Sequence, residues 1–395
     1  DGILEKGVAG LYLLEFDLDT IDIPTYFQSA EWLQIIGNWS FQGNTIFARK
    51  NPNLKFLKII LRAKISAIYF SCCFNYNHPM NQAQIREKIV NSERIVFKFG
   101  TNVLRNDDKE ISLSRIYTFI EDIAKLKKQG KEVIIVTSGA VGLGAKRLNV
   151  DSNESMSVKQ ACAAVGQSRL MSIYEDGFDK YGFTTAQILL TEEDFTQRIK
   201  YLSLHDTLNT LISLGAIPVI NQNDTVSTEE LAFYKDAFQI SFSDNDKLSA
   251  LVASELDADL LVVLSDIDGL FDDNPKENPN AKKIEVVQEV NEEFESYAQN
   301  ASSGGRGGMK TKLEAMKVIT RSGGAGIIAN GKEPHVIQRI FEKEELGTIF
   351  LPTETLANKK RWIAYATNIQ ARLTVNDGAK KALTKKFTSL LPIGV

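Results

Sequence analysis

The chain holds only three cysteines and three histidines in 395 residues. Two of the cysteines, Cys72 and Cys73, are neighbours, so no disulfide framework can form, and this usage fits a reducing cytoplasm. His78, His205 and His335 stand far apart, with no cysteine pair at ligand spacing, which argues against a zinc site. His205 falls in Tyr201 to Leu214, a stretch with helical spacing, and reads as a structural histidine rather than a catalytic base. Charge of one sign is lacking as well. The 46 Lys plus Arg against 50 Asp plus Glu leave a net charge of -4, so a nucleic-acid polyanion is not an expected partner. No apolar run is clean enough to span a bilayer. The nearest, Leu54 to Phe74, carries Lys55, Lys58, Arg62 and Lys64, where a span needs ~20 apolar residues. No basic stretch followed by an apolar one opens the chain, so no secretory leader is expected. Internal repeats and the phosphate-loop string G-x-x-x-x-G-K-[ST] are also missing.

What is present is ordinary globular material, 43% hydrophobic and 24% charged, with length for one large domain plus additions. Residues 1–79 scatter aromatics among Asn and Ile without lasting periodicity and are expected to be an extension with no catalytic role. From Arg94 the pattern becomes regular. Ile95 to Phe99 is a short apolar run, and Ser114 to Lys128 then sets Ile116, Phe119, Ile120, Ile123 and Leu126 on one helical face. Val133 to Val136 is a second run, followed by Ser138-Gly139-Ala140 where a strand would turn into a helix. Further strand-like runs lie at Thr184 to Leu190, Ile217 to Ile220, Leu260 to Leu264 and Gly326 to Ala329. Strands alternating with crossover helices predict an α/β fold, a mostly parallel central sheet sandwiched by helices, with ligand loops at the carboxyl ends of the strands. The residues just after strands are Gly100-Thr101-Asn102, Asn221 to Asp224, and Ser265, Asp266 and Asp268.

Phosphoryl transfer needs positioned positive charge, backbone N–H donors at a glycine-rich loop, and groups that hold the acceptor in line. Ser302 to Met309, rich in glycine and followed by a helix with Leu313, Met316 and Ile319, meets the second need, with Lys312 near the helix start. Taken alone, this loop fits a flexible connection as well as a phosphate cradle. Lys98, flanked by apolar residues, fits an edge-strand lysine snorkelling to water as well as a buried catalytic cation. In Ser243-Asp244-Asn245-Asp246-Lys247 one of the first two residues would cap a helix, leaving Asp246 to pair with lysines.

Taken in order, Val96-Phe97-Lys98-Phe99-Gly100-Thr101-Asn102, Val136-Thr137-Ser138-Gly139-Ala140, Gly166-Gln167-Ser168, Asn221-Gln222-Asn223-Asp224, Ser243 to Lys247 and Gly307-Gly308-Met309-Lys310-Thr311-Lys312 resemble the glutamate 5-kinases of the amino acid kinase family. Aspartokinases open instead with a double glycine where this chain has Gly100 before Thr101. The resemblance implies ATP-dependent phosphorylation of the L-glutamate side-chain carboxylate, the first step of proline biosynthesis. It makes Lys98 and Lys312 the cations that neutralise the phosphoryl group in flight, with Asp246 orienting both. It sets Ser138 and Gly139 beside the reacting carboxylate, Asp224 on the substrate ammonium, and Asn221 and Asn245 among the substrate-binding groups. ATP would lie over Ser265 and Asp266, with Lys98, Arg306, Gly307, Gly308, Met309, Lys310, Thr311 and Lys312 around its phosphates. Mg²⁺ would arrive with the nucleotide, so no all-protein metal cage is expected. A homo-oligomer and feedback inhibition by proline are implied too.

Three positions depart from the family pattern: Gln222 stands for Glu, Ser243 for Gly and Ser265 for Thr. The expected kinase domain is 80–356. Residues 357–395 resemble the opening of a PUA domain, an incomplete β-rich segment below the ~40 residues that usually hold a domain together. The alternatives are an acetylglutamate kinase or aspartokinase, or a non-catalytic ligand-binding regulator on the same fold.

Overall fold

The structure, a computed structural model, describes residues 20–22, 39–42, 45–48, 82–108, 110–226, 245–275, 277–300, 308–353, 361, 364, 365 and 378. Most of the extension and of the PUA-like segment therefore lies outside the described residues. The chain divides into two compact units, Asp1–His78 and Pro79–Val395. In the first, β1 (Thr20–Asp22), β2 (Trp39–Gln42) and β3 (Thr45–Ala48) form an antiparallel sheet in the order β1-β3-β2.

The second unit opens with α1 (Gln82–Val90), β4 (Arg94–Phe99), α2 (Leu113–Lys128), β5 (Glu132–Val136), α3 (Ala140–Leu148) and α4 (Met156–Asp179). It continues with β6 (Thr185–Leu190), α5 (Glu192–Thr196), α6 (Arg198–Ser213), β7 (Ile217–Gln222), α7 (Asn245–Glu255) and β8 (Leu260–Ser265). Then come the short β9 (Leu270–Phe271), β10 (Lys283–Ile284) and β11 (Val286–Val287), α8 (Glu292–Asn300), α9 (Met309–Arg321), β12 (Ala325–Asn330), α10 (Val336–Phe341) and β13 (Thr348–Phe350).

Eight of these strands make one sheet in the order β11-β13-β12-β8-β4-β5-β7-β6. From β12 to β6 every neighbouring pair is parallel, and only β13 runs antiparallel to β12. The runs read from the sequence are these strands. β8 is buried along its whole length, the mark of a strand covered on both faces.

Alternate strand residues point to opposite faces, and the two faces carry separate helices. Val96, Val136, Leu261, Val263 and Ile328 share a buried core with Leu248 and Leu251 of α7 and Leu313 and Met316 of α9. On the other face Phe99 stacks on Phe119 of α2 with ring centroids 4.7 Å apart. Lys98, two residues beyond Val96, is thereby turned towards α7 and α9.

The chain winds from β4 to β5 in one direction and from β8 to β12 in the other, so the carboxyl ends of β4 and β8 flank a switch in strand order. Ligands of open α/β sheets bind at that point. At the opposite ends of α7 and α9, Arg361 donates from Nη1 to Ser254 O at 3.1 Å and Ser322 O at 3.2 Å. Carbonyls in a helix's last turn lack partners within the helix, and a cation there also suits the helix dipole.

Candidate active site

Lys98 sits near the end of β4, between β5 and β8 in mid-sheet, so the edge-strand alternative is excluded. Asp246 is the second residue of α7 and Lys312 the fourth of α9. Their side chains converge. Lys98 Nζ lies 2.5 Å from Asp246 Oδ1, and Lys312 Nζ lies 3.1 Å from Asp246 Oδ2. The Thr311 hydroxyl stands 3.0 Å from the same Oδ2. Both lysines are buried, and the Asp246 carboxylate is fully so. Burial alone would raise its pKa, but the Lys98 and Lys312 ammonium groups outweigh that and hold it below the usual carboxylate range. Two ammonium groups against one carboxylate leave net positive charge in a dry place, an arrangement that suits an anionic ligand.

Strand register sets the remaining groups along the same edge. Lys98 is level with Val136 and Val263, and Val136 with Ile220. The next residues out are Thr137-Ser138 after β5, Asn221 in β7 and Ser265 at the end of β8. Gly139 takes φ +101 at the start of α3, a backbone state that L side chains rarely adopt. Asn245 Nδ2 donates to Thr137 O at 2.6 Å, Ser138 Oγ at 2.9 Å and Asn221 Oδ1 at 3.0 Å. Asn221 Nδ2 in turn donates to Gln167 Oε1 of α4 at 2.9 Å.

Asp224, just past β7, is half-buried. Desolvation raises its pKa, opposed by the positive charge of Lys159. A carboxylate that burial has made costly gains most from a bound cation. On the other side of Lys98, Asp266 accepts from Asn102 Nδ2 at 3.0 Å and from Ser265 Oγ at 3.3 Å. Burial opposes its ionisation, but these donors and the Lys312 charge bring its pKa below the usual value. Gly308 caps α9, Met309 is buried, Lys310 points to solvent, and Thr311 also bonds Gly308 O at 2.9 Å. Arg306, Gly307, Ser243 and Asp244 lie outside the described residues. His205 contacts Glu255 O at 3.1 Å and His335 contacts Asp122 Oδ1 at 3.1 Å, at neither end near these groups in sequence or strand register. His78 lies outside the described residues.

The sequence model of the amino acid kinase family matches residues 93–330. The glutamate 5-kinase of Caldanaerobacter subterraneus subsp. tengcongensis is 45% identical over 305 residues, covering 76% of this chain and 80% of the relative. The chain belongs to the amino acid kinase family, among its glutamate 5-kinases. The glutamate 5-kinase of Marinomonas sp. is 42% identical over 315 residues, 79% of this chain and 82% of the relative. Among solved structures, carbamate kinase from Giardia lamblia covers 67% of this chain and 100% of its own, with 15% identity and a TM-score of 0.48, too distant to bear on the acceptor.

Two features that this family's sequence pattern contains were not assigned a task from the residues alone. A Cβ on Gly166 would fall 1.8 Å from Ala140 O, so glycine is what lets α4 press against the start of α3, directly behind the Ser138-Gly139 loop. Gln167, the next residue, ends the amide chain through Asn221 and Asn245. Both stood in view in Gly166-Gln167-Ser168, but only the packing of α3 on α4 shows what they touch.

Proposed function

We propose that this kinase transfers the γ-phosphoryl of ATP to the side-chain carboxylate of L-glutamate, giving L-glutamyl 5-phosphate and ADP at the first step of proline biosynthesis. The observation that carries the reading is Asp246 held between Lys98 and Lys312 at the switch point of the sheet. A carboxylate oxygen of glutamate forms the new bond to phosphorus while the bond from phosphorus to the β,γ-bridging oxygen breaks. The acceptor is already ionised near neutral pH, so no general base is required.

In this mechanism Lys98 and Lys312 neutralise charge on the moving phosphoryl group, and Asp246 fixes both. The N–H groups at the start of α9, around Met309 to Thr311, face the phosphates, joined by Arg306 and Gly307. Ser265 and Asp266 lie under the nucleotide. Ser138 and Gly139 hold the reacting carboxylate, and Asp224 takes the substrate ammonium, which offsets its desolvation. Among the described residues no three His, Cys, Asp or Glu side chains gather as metal ligands, and Asp246 is engaged by lysines. A divalent cation would arrive on the nucleotide's own oxygens and neutralise phosphate charge there. Proline shares the α-carboxylate and α-nitrogen of glutamate and is proposed as a competitor for the Asp224 side of the site.

ADP release measured with glutamate, aspartate and N-acetylglutamate as acceptors tests the assignment. Turnover is expected with free glutamate. Preference for either other acceptor overturns it.

A further inference from the structure

The polarity of the buried amide chain can be worked out without seeing a hydrogen, because both ends of the middle link touch backbone groups with only one role. Thr137 O is a carbonyl and can only accept, so the atom of Asn245 that meets it at 2.6 Å is its NH₂ nitrogen. The backbone N–H of Gln222 can only donate, and it meets Asn221 Oδ1 at 2.9 Å. Asn221 is thereby oriented with its NH₂ towards Gln167, which must answer with its oxygen. The Gln167 Nε2 left over is buried and has no hydrogen-bond partner among the described residues.

At the other end of the chain, Asn245 Nδ2 donates to Ser138 Oγ at 2.9 Å. An amide NH₂ cannot accept, so the hydroxyl's own proton is left without a protein acceptor among the described residues. The Ser138 O–H is therefore turned outward as a donor, the role an incoming carboxylate or phosphoryl oxygen requires. A flip of Asn221 would set its NH₂ against the Asn245 NH₂, donor against donor, and its oxygen against Gln167 Oε1, and so release Asn245 from its present alignment.

We propose that Gln167 is a positioning residue for phosphoryl transfer: its Oε1 takes up the buried Asn221 NH₂ and so holds the Asn221–Asn245 amide chain in the direction that the Gln222 N–H and the Thr137 carbonyl allow, and through it holds the Ser138 hydroxyl as a hydrogen-bond donor to the reacting group. Only the oxygen of Gln167 takes part. The proposal rests on the kinase reading above for the task of Ser138.

The test uses two replacements with opposite chemistry. Gln167→Glu keeps an acceptor oxygen towards Asn221 and exchanges the unpartnered NH₂ for a second carboxyl oxygen. Gln167→Leu keeps bulk and removes the acceptor. With the full chain, glutamate and ATP, Gln167→Leu is expected to lower kcat ~10-fold or more with KM for ATP unchanged, while Gln167→Glu stays within ~3-fold of the parent. A packing role would give the reverse order, since an apolar side chain suits a buried site better than a carboxyl group. Should Gln167→Leu not fold, Gln167→Met supplies the same comparison. A folded Leu or Met variant with parental kcat overturns the proposal, as does a Glu variant no better than Leu. Parental turnover with glutamate in the same assay tests the kinase reading separately, so the two can fail independently.

Discussion

Lys98 Nζ and Asp246 Oδ1 meet at 2.5 Å, with side-chain exposures of 3% and 0%, and Lys312 Nζ reaches the other oxygen of the same carboxylate. A pair so buried is costly to assemble and is strongly coupled once made. Charge reorganises little when the phosphoryl group moves between fixed ammonium groups, so their effect falls on the transition state rather than on substrate capture. Lys98→Ala and Lys312→Ala are each expected to lose ~10²-fold or more in kcat with modest change in KM for glutamate. Steady-state kinetics on the purified variants checks this, and near-parental turnover removes that lysine from the mechanism.

Asp246 links catalysis to stability. Asp246→Asn leaves two buried ammonium groups facing each other without their counter-charge, and is expected to cost ~3–5 kcal/mol as well as turnover. Denaturant unfolding reads the first effect. The sign with pH follows from the depressed pKa. The unfolded carboxylate titrates near ~4, so the Asp246 contribution is fully present above that and is lost as pH falls through the lower folded value. The stability gap between parent and Asp246→Asn should therefore be flat at neutral pH and shrink only in acid.

Asp224 is expected to behave oppositely with pH. Burial raises its pKa, so it is protonated at a higher pH than an ordinary aspartate, and a protonated carboxyl no longer attracts the substrate ammonium. KM for glutamate should rise on the acid side while kcat changes less. Asp224→Asn should raise that KM ~10-fold or more and flatten its acid limb. A variant with an unaltered KM would place the ammonium elsewhere.

Gly166→Ala adds a Cβ where Ala140 O already stands 1.8 Å away, so α4 and α3 must separate. Overpacking of this kind costs ~1–3 kcal/mol, and here it also displaces the Ser138-Gly139 loop. Reduced thermal stability together with a lower kcat/KM is the expected outcome. By comparison, Ser168→Ala, on the exposed side of α4, should change neither.

The sheet was legible because its strands are continuous apolar runs and its helices keep one apolar face, as in Ile116 to Leu126. The site was legible in part for a related reason: groups that follow strands collect at one edge whatever the strand order. Lys98 shows the limit. Its neighbours in sequence are apolar in an edge strand and in a central one alike, and only the placing of β8 beside β4 decides between them. Gln167 shows another. A glutamine on a helix carries no sign of its partner, and the partner here, Asn221, lies 54 residues away.

The most direct measurement is γ-glutamyl hydroxamate formation by the purified full chain with ATP, Mg²⁺, L-glutamate and hydroxylamine, set against ADP release in the same tube. Hydroxylamine traps an acyl phosphate on the glutamate side chain. Hydroxamate appearing together with glutamate-dependent ADP is the expected result. ADP release that glutamate does not raise above background, with no hydroxamate formed, contradicts the assignment.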